Sequence, residues 1–105
     1  MNANDLKEYI IDNNLVQQIL ESLDCEHIKE YDKEWRSALP QKSNKTAVCV
    51  KKDTLKVNIR SGEGNECGDI YTLVMHIKNI SFGKSVKYLH DVLGLKYEFN
   101  NTKSI

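Results

Sequence analysis

The chain has 105 residues, 40% apolar and 29% charged, and its 15 basic and 15 acidic side chains give a formal net charge of zero. That length supports one compact domain with a modest core and is too short for two. No apolar run reaches the roughly 18 residues of a membrane span, and the opening MNANDLKEYI carries acids and no apolar signal core, so the expectation is a cytoplasmic protein without membrane contact.

The zero net charge conceals a segregation. Residues 1–35 hold three lysines against nine carboxylates, whereas residues 36–60 hold Arg36, Lys42, Lys45, Lys51, Lys52, Lys56 and Arg60 against Asp53 alone. Either the middle of the chain presents a basic surface to an anionic partner, or the acidic and basic parts face each other. Cys25, Cys49 and Cys67 are widely spaced with no CxxC, which reads as free thiols rather than a disulfide framework or a closed zinc site.

In chain order, Leu6, Tyr9 and Ile10, then Leu15, Ile19 and Leu23, recur at helical spacing around Asp12-Asn13-Asn14 and predict one or two amphipathic helices across 5–23. From His27 to Leu39 the pattern is mixed, with a weak strand signal around Trp35, and Pro40 opens a polar loop. TAVCVKK (46–52) and TLKVNIR (54–60) predict an antiparallel hairpin with a short turn at Lys52-Asp53. Leu55, Val57 and Ile59 alternate with Lys56, Asn58 and Arg60, which places the latter three on the outward face. After a glycine loop at 61–68 the period changes to 3.6, and Ile70, Leu73, Val74 and Ile77 predict a helix over 69–79. Ser81 caps a second helix whose Val86, Leu89 and Leu93 face inward, and Gly94 stops it. The segment 97–105 is expected to add a short strand.

The loop IRSGEGNECGDIYTLV raises three chemistries. Gly62, Gly64 and Gly68 spell GxGxxxG rather than a dinucleotide fingerprint, and Glu63, Glu66 and Asp69 repel phosphate. Cys67 alone cannot build a zinc knuckle. Nothing places His76 or His90 beside it as a base, and both histidines read as helix-surface residues. The carboxylates Glu21, Asp24, Glu26, Glu30, Asp32 and Glu34 read as a solvated face.

The order of parts carries a resemblance: an N-terminal helix, WRSALP, Lys45-Thr46, a hairpin, a loop ending in Gly68-Asp69-Ile70-Tyr71-Thr72-Leu73-Val74, then SFGKSVKYLHDVLGL. Over roughly residues 14–95 this resembles the N-terminal zinc-binding domain of bacterial and phage DNA primases, the CHC2 zinc-ribbon family. That family has Cys-Pro-x-His before the hairpin and Cys-x-x-Cys before Gly-Asp/Asn. Here the first pair falls on Leu39 and Lys42, or in a longer register on Ser37 and Pro40, and the second on Ser61 and Gly64. No ligand stands at any of them, so the resemblance implies a degenerate form with no metal and no cofactor.

The resemblance implies an α+β, zinc-ribbon-like fold in which a small antiparallel β-sheet packs with N-terminal and C-terminal helices. It divides one domain, 1–105, into helices at 1–25, strands and a basic hairpin at 26–60, the glycine loop at 61–68, two helices at 69–95 and a tail at 96–105. It also implies a non-enzymatic DNA-replication module of a phage or mobile element that binds single-stranded DNA template. Carried over by position, the binding residues are Arg36, Lys45, Lys56, Asn58 and Arg60, with Trp35 as a stacking platform or, alternatively, a core residue. The rival expectation is a docking module that holds a replicative helicase or a primase catalytic core, with Glu26, Glu30 and Glu34 as its acidic face.

Overall fold

The computed structural model describes residues 2–61 and 64–95, so the tail expected at 96–105 and residues Gly62 and Glu63 lie outside the described residues. The architecture is α+β, with helices at both ends of a five-stranded antiparallel sheet. Helix α1 (Ala3–Asn13) begins where the Asn2 side chain accepts the Asp5 N–H at 2.8 Å and ends at Asn14 in the left-handed conformation. Helix α2 (Val16–Ser22) follows at once. Leu6, Ile10, Val16, Ile19 and Leu20, the apolar positions at helical spacing, are buried.

The sheet is a meander of β1 (Glu26–Glu30), β2 (Glu34–Ala38), β3 (Val48–Lys51), β4 (Lys56–Ser61) and β5 (Gly64–Asp69), each paired with the next. The expected hairpin is β3–β4, in register at Val48↔Ile59, Cys49↔Asn58 and Val50↔Val57. Its connection is longer than the short turn expected at Lys52-Asp53. The Leu55 N–H returns to the Lys51 carbonyl, and Leu55, at φ 59°, is buried there instead of entering the strand.

Two sequence expectations are corrected. Most of the glycine loop is strand β5, which pairs with β4 from Lys56↔Asp69 to Ser61↔Gly64. GNECGD has no branched or aromatic apolar residue to alternate, so this exposed edge strand leaves no hydrophobic signature. The mixed stretch from His27 to Leu39 is likewise two strands. There β1 is interrupted by a register irregularity between Glu26 and Lys29, with His27 at φ 55°, and this hides its period of two.

Helix α3 (Ile70–Lys78) starts from Asp69, whose carboxylate accepts the N–H groups of Tyr71 and Thr72 while Thr72 Oγ1 accepts the Asp69 N–H. This reciprocal cap satisfies donors a helix start leaves open. Helix α4 (Phe82–Val92) is capped by Ser81, and Gly94 follows at φ 71°. Ile70, Leu73, Val74, Val86 and Leu89 meet Trp35, Val48, Val50, Val57 and Ile59 in one core cluster, so the helices cover one face of the sheet. Two tyrosines tie the ends together: Tyr71 Oη donates to the Ala3 carbonyl at 2.6 Å, and Tyr88 Oη to the Ser22 carbonyl at 3.0 Å. His90 is a third correction, buried in this layer with its Nδ1–H donated to the Val86 carbonyl. Among the described residues no helix is long and apolar enough to cross a membrane.

Candidate nucleic-acid interface

Strand alternation sends Trp35, Val48, Val50, Val57 and Ile59 to the helices and the intervening side chains to the other face. One cross-strand row on that outer face runs Lys29, Arg36, Cys49, Asn58, Cys67, each the register partner of the next. Lys56 and Arg60 flank Asn58 along β4, both exposed. Lys51 and Glu34 are partners in the neighbouring row. Tyr31, 39% exposed, lies at the β1 end, with the Arg36 guanidinium 4.7 Å and the Lys29 ammonium 5.4 Å from its ring centre. Such cation–π contacts keep guanidinium and ring together, and the exposed parts of either offer a π-surface to a base.

Two carboxylates border this face. Glu34 accepts from Lys51 at 2.7 Å and from Arg36. The Lys51 ammonium first, then the Arg36 guanidinium and the Cys49 thiol, hold its carboxyl down at about 2. Asp69, the register partner of Lys56, is instead turned to cap α3 and pairs with Lys7 at 2.9 Å. The salt bridges of the described residues leave Lys56 and Arg60 without a carboxylate partner. Beside them the Cys67 thiol donates to Asn58 Oδ1 at 2.7 Å, which leaves the amide nitrogen of Asn58 to donate outward. Both line a depression of about 240 Å³ with Cys49, Lys51 and Lys56.

Of the residues expected from sequence, Lys56, Asn58, Arg60 and Arg36 share the outer face. Lys45 is exposed in the 39–47 connection, away from the sheet rows. Trp35 is corrected as a stacking platform: it is 4% exposed, on the opposite face, opposite Val50. Sequence reasoning missed Lys29 and Tyr31. Lys29 stands in the irregular strand β1 and Tyr31 just beyond its end, where no alternation marks them. On the expected acidic face, Glu30 pairs with Lys52, Glu34 pairs with Lys51 and Arg36, and Glu26 accepts the Gln41 N–H. The acidic and basic parts thus face each other in part, since Glu30 and Glu34 engage Arg36, Lys51 and Lys52, while Lys42, Lys45, Lys56 and Arg60 are exposed.

The cysteines are all free. Burial pushes the Cys25 thiol up to about 11, and burial followed by the neighbouring Glu34 raises Cys49, so neither is a ready thiolate.

A larger cavity, about 600 Å³, opens at the end of β4. Leu39 and Ala47 form its apolar wall, and Lys42, Ser43, Asn44, Arg60, Ser61 and His76 complete it. His76 is held there by a 3.0 Å contact between its Nδ1 and the Glu66 carboxylate on β5. The positions matched to the family's zinc ligands in one register, Leu39, Lys42 and Ser61, therefore lie around one cavity. They do not fit zinc: Leu39 has no donor atom and Lys42 brings a cation. Ser37 of the other register is buried on the helix-covered face. Compared with protein-family models, with curated proteins and with solved structures, the chain matches none.

Proposed function

We propose that the chain is a non-catalytic, primase-type module of a phage or mobile-element replication protein, acting in the cytoplasm, that binds single-stranded DNA on the uncovered face of its sheet. The observation that carries this is the outer face itself, where Lys29, Arg36, Lys51, Lys56, Asn58 and Arg60 stand together with Tyr31 at one end. Cations spaced along adjacent strands track phosphates, and an aromatic beneath a guanidinium accepts a base without regard to sequence. An unstacked base can reach that ring, whereas a duplex keeps its bases inside. The order of elements, and the meeting of Leu39, Lys42 and Ser61 around one cavity, support the primase-type reading. Of the alternative acidic face, Glu30 and Glu34 are paired with lysine or arginine side chains within the chain, which favours the nucleic-acid reading over docking of a helicase or primase core.

The test is a fluorescence-anisotropy titration of a labelled single strand of roughly 20 nucleotides, and of the same sequence as duplex, across a series of salt concentrations. The expected outcome is tighter binding of the single strand, with the logarithm of affinity falling linearly against the logarithm of salt. No binding to either at low salt defeats the proposal.

A further inference from the structure

The cavity at the end of β4 is a cleft of about 600 Å³, within the ordinary range for small-ligand sites of roughly 300–1,000 Å³. Its chemistry is that of an anion site with an apolar wall. Lys42 comes from the 39–47 connection and Arg60 from β4, so two separate elements bring cationic nitrogen donors to one space, and His76 on α3, its Nδ1 engaged by Glu66, completes the lining. Leu39 and Ala47, both buried, form the apolar floor of the cleft, which a sugar or base entering it would meet. Among the described lining residues there is no Asp or Glu; the nearby carboxylate of Glu66 stands behind His76 with its Oε1 3.0 Å from Nδ1, and Lys42 and Arg60 set two cations against it.

Arg60 belongs both to this cavity and to the row Lys56, Asn58, Arg60 on the open face. A strand lying along β4 therefore runs into the cavity, and what distinguishes the end of a strand from its interior is a terminal phosphomonoester. That group carries up to two negative charges and three acceptor oxygens, against one charge on an internal diester. We propose that this cavity, which the sequence resemblance would have given to a zinc ion, binds the terminal phosphate of a nucleotide, with Lys42 and Arg60 on the phosphate and Leu39 and Ala47 against the nucleoside. The inference rests on the reading of the sheet face only for the path of the strand; the cavity's own chemistry accepts a free nucleotide equally.

The test uses the full chain and three internally labelled oligothymidylates of one length, bearing a 5′-phosphate, a 3′-phosphate or neither, with thymidine 5′-monophosphate as competitor. One terminal phosphate is expected to tighten binding about tenfold, the return from charge-assisted hydrogen bonds in a partly enclosed site. The preferred end gives the polarity of the strand, and the free mononucleotide is expected to erase the gain. Lys42→Ala is expected to abolish the gain while leaving the unphosphorylated strand within twofold. Lys42 is exposed and only its backbone N–H serves the local turn, to the Leu39 carbonyl, so the variant keeps its fold. Lys56→Ala is expected to weaken all three strands alike. Equal affinity for the three strands, or a gain that survives Lys42→Ala, overturns the cavity assignment and leaves the sheet face standing. Binding of the mononucleotide with no binding of any strand does the reverse.

Discussion

Lys51 Nζ stands 2.7 Å from Glu34 Oε1 across the β2–β3 ladder, and the Arg36 guanidinium takes the other oxygen of the same carboxylate. One acid thereby holds two of the cations on the face proposed to meet DNA. Glu34→Gln keeps the shape and removes the charge, so phosphates gain two cations that were engaged within the chain. The expected result is tighter binding at low salt and a log–log salt slope steeper by roughly 0.7 for each new phosphate contact. An unchanged slope in the anisotropy titration would show that Arg36 and Lys51 do not reach the strand.

The same carboxylate makes stability depend on pH in a defined window. Its folded value, about 2, lies below its ordinary value of 4.5, so the native state binds the proton less readily than the unfolded chain. The stabilisation is therefore complete above about 4.5 and is lost as pH falls toward 2. Thermal melts of wild type and Glu34→Gln are expected to differ most above that window and to converge below it. Parallel curves through the acid range would contradict the pairing.

Lys56→Ala and Arg60→Ala test the cations of the face that have no carboxylate partner among the described residues. Each is expected to weaken single-strand binding uniformly across sequences and to flatten the salt slope by roughly 0.7. Both side chains are exposed, so the melting free energy is expected to stay within about 0.5 kcal/mol of wild type. A loss of affinity accompanied by a large loss of stability would instead place these residues in the fold.

Tyr31 and Trp35 separate binding from packing. Tyr31→Ala removes the ring under Arg36 and is expected to cost about 1–3 kcal/mol in single-strand affinity, with little effect on stability. Trp35→Ala empties a buried site in the core and is expected to cost about 3–5 kcal/mol in denaturant unfolding. Reversed outcomes would return Trp35 to the role its sequence position first suggested.

How far the sequence foretold these residues follows from where each strand gets its signal. Strand β4 alternates Val57 and Ile59 with Lys56, Asn58 and Arg60 because one face is buried and the other open, and that contrast is readable in one dimension. Strands β1 and β5 lie at the sheet edges with little or nothing to bury, so Lys29, Tyr31 and Cys67 carry no period to read. The face to which Trp35 turns depends on its pairing with Val50, a relation between strands that local pattern does not contain. The cavity is less legible still. Lys42, Arg60 and His76 come from three segments that only the folded meander and α3 bring together.

Gly68 is the glycine of the 61–68 segment whose replacement bears most directly on both sites. A Cβ built there would lie 2.1 Å from Thr72 Oγ1, 2.6 Å from Thr72 Cβ and 2.8 Å from Cγ2, and Thr72 is the residue that closes the cap of α3. The backbone of β5 therefore lies against the first turn of α3 with no room for a side chain, and Gly68→Ala must push one away from the other. The expected cost is about 1–3 kcal/mol in chemical denaturation. Thr72→Ala removes two of the three contacts, so the double variant is expected to be about 1 kcal/mol more stable than the sum of the single effects. Because α3 carries His76 to the cavity and β5 carries its partner Glu66, displacing that junction is also expected to lower the gain from a terminal phosphate in Gly68→Ala. Stability and phosphate preference both at the wild-type level in that variant would mean that the close approach of β5 to α3 does not set the site.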